Sequence, residues 1–329
     1  MSDWSVVLQQ TVAMFLVILA GWVARRRGLI SAQATAGLSR FAVDVAMPCL
    51  VFTQMLRTVD AAALRAEWLS PLVGVMVVAL GIAAGWPAAR LCDGKLDRRT
   101  FVFLVATPNW IYLPLPIAQA LHGEAGVRTV LLVNVGATLA MWSLGMAVLA
   151  GKPARAGLLA VAKNAGLHAA WLGIVLALAA PGLGRLAGET SPSHPLAYPL
   201  VALLQAMGLV GSMVIPLVLV LTGAQLATLQ AGARPPARAL GWLLTARLLV
   251  APALTLGLLW AAGQAGLHFA PAPRAVWLLV NAMPVAVSAG MLTERFGGDT
   301  VLAARGIFVS TLAGMVTVPA LFWAMEAIW

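Results

Sequence analysis

Ten apolar runs, each long enough to carry a helix across roughly 30 Å of hydrocarbon, follow one another along the chain and leave little room for anything else. They cover residues 4–24, 36–56, 68–91, 101–121, 127–150, 165–182, 197–227, 238–262, 275–293 and 301–325. With 61% of its 329 residues hydrophobic and 10% charged, the chain is more apolar than a water-soluble domain can be. The expected fold class is therefore an all-α polytopic membrane protein with ten transmembrane helices. The seventh run holds Pro199 and Pro216 and is expected to begin as an interfacial piece before it spans.

The formal net charge of +10 does not call for a nucleic-acid partner, because the Lys and Arg residues are scattered between apolar runs and form no single basic face. They set topology instead. With the N-terminus outside, the cytoplasmic side receives Arg25, Arg26, Arg27, Arg40, Arg90, Lys95, Arg98, Arg99, Lys152, Arg155, Lys163, Arg234, Arg238, Arg295 and Arg305, whereas the outer side receives Arg57, Arg65, Arg128, Arg185 and Arg274. Such an asymmetry is the positive-inside pattern. It predicts a multi-pass protein of the cell (inner) membrane with both termini extracytoplasmic. Asp3 precedes the first run and three arginines follow it, the reverse of a secretory signal peptide, so this helix is expected to be retained.

Several function classes lose support. The loops are too short for a soluble domain and carry no phosphate-binding G-x-x-x-x-G-K-[ST] stretch, which disfavours ATP-driven pumping. Cys49 and Cys92 have no metal-ligand spacing. An intramembrane enzyme needs a nucleophile with a base, or paired aspartates, at membrane depth; His122, His194 and His268 map to outer loops, and His168 has no evident serine partner. No enzyme activity, cofactor or metal is expected.

Ten spans divide into five and five, and an odd number of helices per half inverts the second half automatically. Three echoes support the division. Asp44-x-x-x-Pro48 is matched by Ser212-x-x-x-Pro216, "LHGEAGV" after the fourth run by "RFGGDTV" after the ninth (Gly123 against Gly297), and "TPNWIYLPLP" by "NAMPVAVSAG". The expected organisation is a first five-helix repeat over 1–150, a cytoplasmic linker over 151–164 and a second, inverted repeat over 165–329.

The third echo carries the chemistry. Proline has no N–H and its ring clashes with the preceding turn, so Pro108, Pro114 and Pro116 in the fourth run, and Pro284 in the ninth, leave backbone groups without helical partners. At membrane depth such groups are tolerated only where protein or a water-filled cavity covers them. Half-helix N-termini would offer N–H groups to an anion, and freed carbonyls would suit water, a cation or a polar ligand group. The competing reading is that these prolines only kink two packed helices.

"NWIYLPLP" (Asn109 to Pro116) resembles the N-x-x-x-x-G-x-P stretch of the auxin efflux carrier family, with Pro114 standing where a small glycine is usual. The resemblance continues through "HGEAG", "MWSLG" (Met141 to Gly145), "NAMPVAVSAGMLTERFGG" and "VSTLAGMVTVPAL" (Val309 to Leu321). It implies kinship with the bile acid/sodium symporter-like superfamily, two inverted five-helix repeats, broken helices 4 and 9 that cross, and Pro108, Asn109, Asn281 and Pro284 at the crossing. A homodimer follows from the resemblance only.

Charges inside spans cost about 2.5–3.5 kcal/mol each at a helix centre, so the few present are informative. Arg247, about 13 Å along its helix from Arg238, either faces the anionic group of a substrate or snorkels or pairs with Asp44. Asp44 either couples H+ or Na+ or pairs with Arg40 one turn earlier; its repeat-related position is Ser212, not a second acid. Asn134, Gln54, Gln205 and Ser288 are hydrogen-bonding candidates, with Asn134 and Ser288 nearest the breaks. Tyr112 and Trp110 sit on the first break, placed to stack on a substrate or to pack on the ninth helix. Gly81-x-x-x-Gly85 and the Gly306, Ser310, Gly314 series read as close helix packing. Trp4, Trp68, Trp277, Trp323 and Trp329 read as interface anchors. The functional expectation is a secondary carrier of a small organic acid, with a channel or sensor on the same fold as the alternative.

Overall fold

The computed structural model describes residues 3–92, 96–151, 153, 161–186, 197–228 and 235–326, which places Lys95, Lys152, Arg155, His194, Arg234, Trp329 and most of the expected 151–164 linker outside the described residues. Among the described residues every regular element is helical. In chain order these are α1 (Asp3–Arg26), α2 (Ala32–Phe41), α3 (Met47–Thr58), α4 (Ala61–Ala66), α5 (Ser70–Arg90), α6 (Arg98–Ala106), α7 (Pro114–Ala140) and α8 (Met146–Ala150). There follow α9 (Ala165–Ala179), α10 (Pro181–Leu186), α11 (Tyr198–Ser212), α12 (Val214–Leu226), α13 (Ala237–Leu244), α14 (Ala251–Gln264), α15 (Pro271–Ala282), α16 (Val287–Arg295) and α17 (Thr300–Glu326).

The starts follow capping rules. Asp97 accepts from the N–H groups of Arg99 and Thr100 at the head of α6, and Asn164 accepts from Leu167 N–H at 2.9 Å at the head of α9. Widened π turns occupy Ala42–Ala46, Met141–Gly145 and Thr245–Val250. Two of them lie just ahead of Pro48 and Pro252, which cannot donate to the carbonyl one turn back.

Among the described residues seven helical stretches are long and apolar enough to cross a membrane, including Tyr198–Leu226 and Pro114–Ala150, the latter kinked at Gly123 (φ 57°, ψ −137°). The fourth, sixth and ninth runs do not yield single helices of that length: the fourth is cut after α6, the sixth gives the 15 residues of α9, and the ninth is divided into α15 and α16. Proline and the chain leaving the helical region, not loss of hydrophobicity, end these pieces.

The chain forms two compact units. One comprises Val17–Trp68 and Lys163–Gln225; in it α3 is packed against α9 and α11 through Gly173 beside Met55 and Gly211 beside Leu50. Asp44 is exposed here on its π turn, and among the described residues it makes no ion pair with Arg40. The widened turn between them changes the phase that an ordinary i,i+4 pair requires.

The other unit comprises Met1–Leu16, Leu69–Ala162 and Leu226–Trp329. Its centre is α6, whose residues 100–106 are all buried. Gly81 and Gly85 let α5 lie directly on α6: a Cβ on Gly81 would stand 2.7 Å from the Val105 carbonyl oxygen, and one on Gly85 3.1 Å from Val102 Cα. Trp277 corrects an expectation. It is 2% exposed, donates from Nε1 to Ser70 Oγ at 3.0 Å and lies edge-on to Phe269, because it shares α15 with the wholly buried run up to Ala282. Trp68 and Trp323 are exposed as anchors would be.

Candidate functional site

The two breaks meet. α6 ends at Ala106 because Pro108 disfavours helical geometry at the residue before it, and Thr107 takes φ −116°, ψ 76°. α15 ends at Ala282, and the chain runs extended through Met283 (φ −67°, ψ 148°) to Ala286 (φ −65°, ψ 136°) before α16 begins. Asn109 N–H donates to Pro284 O at 2.8 Å, and Ala286 N–H donates to Thr107 O at 2.9 Å. These bonds make one antiparallel bridge between Pro108 and Val285. Backbone that cannot pair within its own helix thus pairs across the breaks.

Side chains complete the accounting. Thr107 Oγ1 donates to Phe103 O at 2.6 Å, and Val285 N–H donates to Ser310 Oγ at 3.2 Å. Asn109, 7% exposed, accepts from Tyr112 N–H at 3.1 Å and so closes the turn leading into α7. Trp110 Nε1 donates to Asn134 Oδ1 at 3.0 Å, as does Thr138 Oγ1 at 3.2 Å. Asn134 therefore ties the first break to the far half of α7, and Trp110 is held by α7 as an anchored core residue. On α17, Gly314 lies against the Pro284 ring, where an added Cβ would stand 3.3 Å from the proline Cγ.

Arg247 sits on the third π turn and is wholly buried, so it does not snorkel. Its Nη1 donates to Val105 O at 2.7 Å, in the last turn of α6; its Nη2 donates to Asn281 Oδ1 at 2.5 Å and to Asn281 O, in the last turn of α15. Its Nε has no partner among the described residues. Asn281 is in turn fixed by donating from Nδ2 to Ala251 O at 3.0 Å and to Thr255 Oγ1. Each helix C-terminus carries about half a negative charge, and one guanidinium serves two of them.

Pro108, Asn109, Asn281, Pro284 and Arg247 thus converge on the bridge, with Asn134 one hydrogen bond away. Tyr112 is half-buried beside it, and Ser288 is exposed on the first turn of α16. Sequence reasoning did not single out Thr107, Thr255 or the Val105 carbonyl, and it read Ser310 as packing only. A threonine directly before Pro108 was the available signal for Thr107; nothing local marks Thr255.

The glycine echo has a structural counterpart. Nine helical residues, 114–122 and 287–295, follow each break, and a glycine in the left-handed region comes soon after: Gly123 at φ 57° and Gly297 at φ 73°.

The signature of the membrane transport protein family matches residues 6–322. An uncharacterized transporter from Methanothermobacter thermautotrophicus is 24% identical over 332 aligned residues, which cover 94% of this chain and 96% of that relative. Both similarities indicate transport and not an enzyme. Since the match runs through nearly the whole chain and includes both broken segments, this protein belongs to the membrane transport protein family, that of the auxin efflux carriers.

Proposed function

We propose that the protein is a secondary carrier of a small organic anion, a carboxylate or auxin-like acid, which binds at the bridged breaks and crosses the membrane by alternating access. The observation that carries this reading is the pair of backbone hydrogen bonds joining Thr107–Asn109 to Pro284–Ala286. Interrupted helices that meet in this way present half-helix ends to a ligand without exposing unpaired backbone to lipid. Anion preference rests on charge: Arg247 already neutralises the negative ends of α6 and α15, which leaves the positive N-terminal end of α16, whereas Pro114 and Pro116 lack an N–H and Leu115 N–H is bonded to Ile111 O at the head of α7.

The same reading takes the ten apolar runs as two inverted five-helix repeats in the inner membrane with both termini outside. The matched spacing of break, nine-residue half-helix and left-handed glycine supports it. Asp44, exposed on its π turn, is the proposed point of H+ or Na+ coupling, and a homodimer is the proposed assembly.

Uptake of labelled malate, malonate and indole-3-acetate into proteoliposomes tests the reading, with and without Na+ and pH gradients. Saturable uptake and counterflow of one of these acids by the wild type, reduced at least about tenfold in folded Asn109→Ala, is the expected result. A folded wild type that moves none of them refutes the anion class, conduction without counterflow makes the protein a channel, and normal uptake by Asn109→Ala removes the break from the substrate site.

A further inference from the structure

We infer that Arg247 is a built-in cation that occupies the place an inorganic coupling ion would take at the crossing, so that this site works without bound Na+, Li+ or K+. In carriers with interrupted helices, unwound carbonyls and half-helix C-terminal ends are the groups that coordinate a coupling cation. Here those groups are already engaged. Val105 O ends α6, Asn281 O ends α15, and both accept from the same guanidinium, which also takes Asn281 Oδ1.

Three features suit Arg247 to this role. Its charge is permanent, and its planar fork reaches two acceptors from separate nitrogens, which a point cation such as Lys cannot reproduce. Its own helix holds it in register, since the π turn Thr245–Val250 lies on the segment that also provides Ala251 O and Thr255 Oγ1 to Asn281. Its bonds among the described residues go to backbone and amide oxygens, none to a carboxylate. A buried cation satisfied by carbonyls alone is compensated by dipoles, as a dehydrated metal cation would be. A second cation on the same oxygens would face like-charge repulsion from the guanidinium that already occupies them.

The inference deepens the proposed function by fixing the ion dependence of the same site. Coupling through Asp44 lies in the other compact unit and is separate from it. Arg247 acts through the ends of α6 and α15 and is therefore a positioning residue.

The test uses thermal unfolding of the purified full-length protein in detergent, followed by tryptophan fluorescence, in NaCl, LiCl, KCl or choline chloride at equal ionic strength. Wild type and Asp44→Asn are compared with Arg247→Lys and Arg247→Ala. The expected result is that Tm of Asp44→Asn, which lacks the proposed coupling carboxylate, does not depend on the cation, and that any dependence shown by the wild type disappears with that substitution. Arg247→Lys is expected to melt lower. Arg247→Ala is expected to gain a saturable rise of at least about 2 °C with Na+ or with millimolar ethylguanidinium, since the emptied oxygen cluster then binds a cation.

A saturable Na+ or Li+ stabilisation shared by wild type and Asp44→Asn overturns the inference. So does an Arg247→Ala protein as stable as wild type in every salt, or one indifferent to both Na+ and ethylguanidinium. If Arg247→Ala does not fold, cation-independence of Asp44→Asn together with a destabilised Arg247→Lys supports the inference, and an undiminished Arg247→Lys overturns it. None of these readouts needs a transported substrate, so failure of anion uptake refutes the carrier reading alone.

Discussion

Burying a guanidinium is costly unless its donors meet acceptors, and Arg247 offsets the cost through three oxygens at two helix ends. Asn281 is the residue that makes this possible: its side chain offers one oxygen to Arg247 and is held from the other side by Ala251 O and Thr255 Oγ1. Asn281→Ala deletes a hydrogen bond to a buried charge, a loss of about 1.5–3 kcal/mol. The expected outcome is a lower Tm in detergent, with Thr255→Val producing a smaller drop because it leaves the Arg247 contact in place. Equal drops for both would mean that Asn281 acts through α14 and not through Arg247. The arginine and the asparagine were both recognisable in the sequence as polar residues in apolar runs. Their partnership was not, since it joins positions 34 residues apart on different helices.

At the scale of elements, the crossing depends on how closely α5 approaches α6. Gly81 lies over the carbonyl that Arg247 uses, and an added Cβ would stand 2.7 Å from Val105 O, whereas on Gly85 it would meet Val102 Cα at 3.1 Å. Gly81→Ala must move the end of α6, an overpacking cost of about 1–3 kcal/mol. Gly85→Ala needs only a small adjustment. Melting temperatures of the two variants should therefore fall in the order wild type, Gly85→Ala, Gly81→Ala, and the reverse order would show that the end of α6 is free to shift. The G-x-x-x-G spacing announced close packing but not its partner. In the same way Pro108 and Pro284 announced where helices break, because a missing N–H is a property of the residue itself, and the resemblance implied that the breaks cross, while the backbone hydrogen bonds that join Thr107–Asn109 to Pro284–Ala286 required the folded chain.

For the whole molecule the testable quantity is topology. In a Cys49→Ala, Cys92→Ala background, Arg27→Cys and Arg65→Cys place thiols on exposed positions at opposite ends of the segment that holds α2, α3 and α4. A membrane-impermeant maleimide should label Arg65→Cys in intact cells and Arg27→Cys only after permeabilisation; the opposite pattern reverses the proposed orientation. Hydropathy, charge asymmetry and proline placement are summed from single residues, and they were enough to determine a multi-pass helical membrane protein and the position of both breaks; the family was legible only through the resemblance of motifs such as "NWIYLPLP" and "NAMPVAVSAGMLTERFGG". Tertiary structure alone decided that the sixth apolar run yields only the 15 residues of α9, that Trp277 is a core residue bonded to Ser70, and that Arg247 closes two helix ends. Those outcomes depend on which acceptor lies within about 3 Å of a donor, and Arg247 and Val105 stand 142 residues apart in the chain. No local pattern encodes such a distance; packing of the helices sets it.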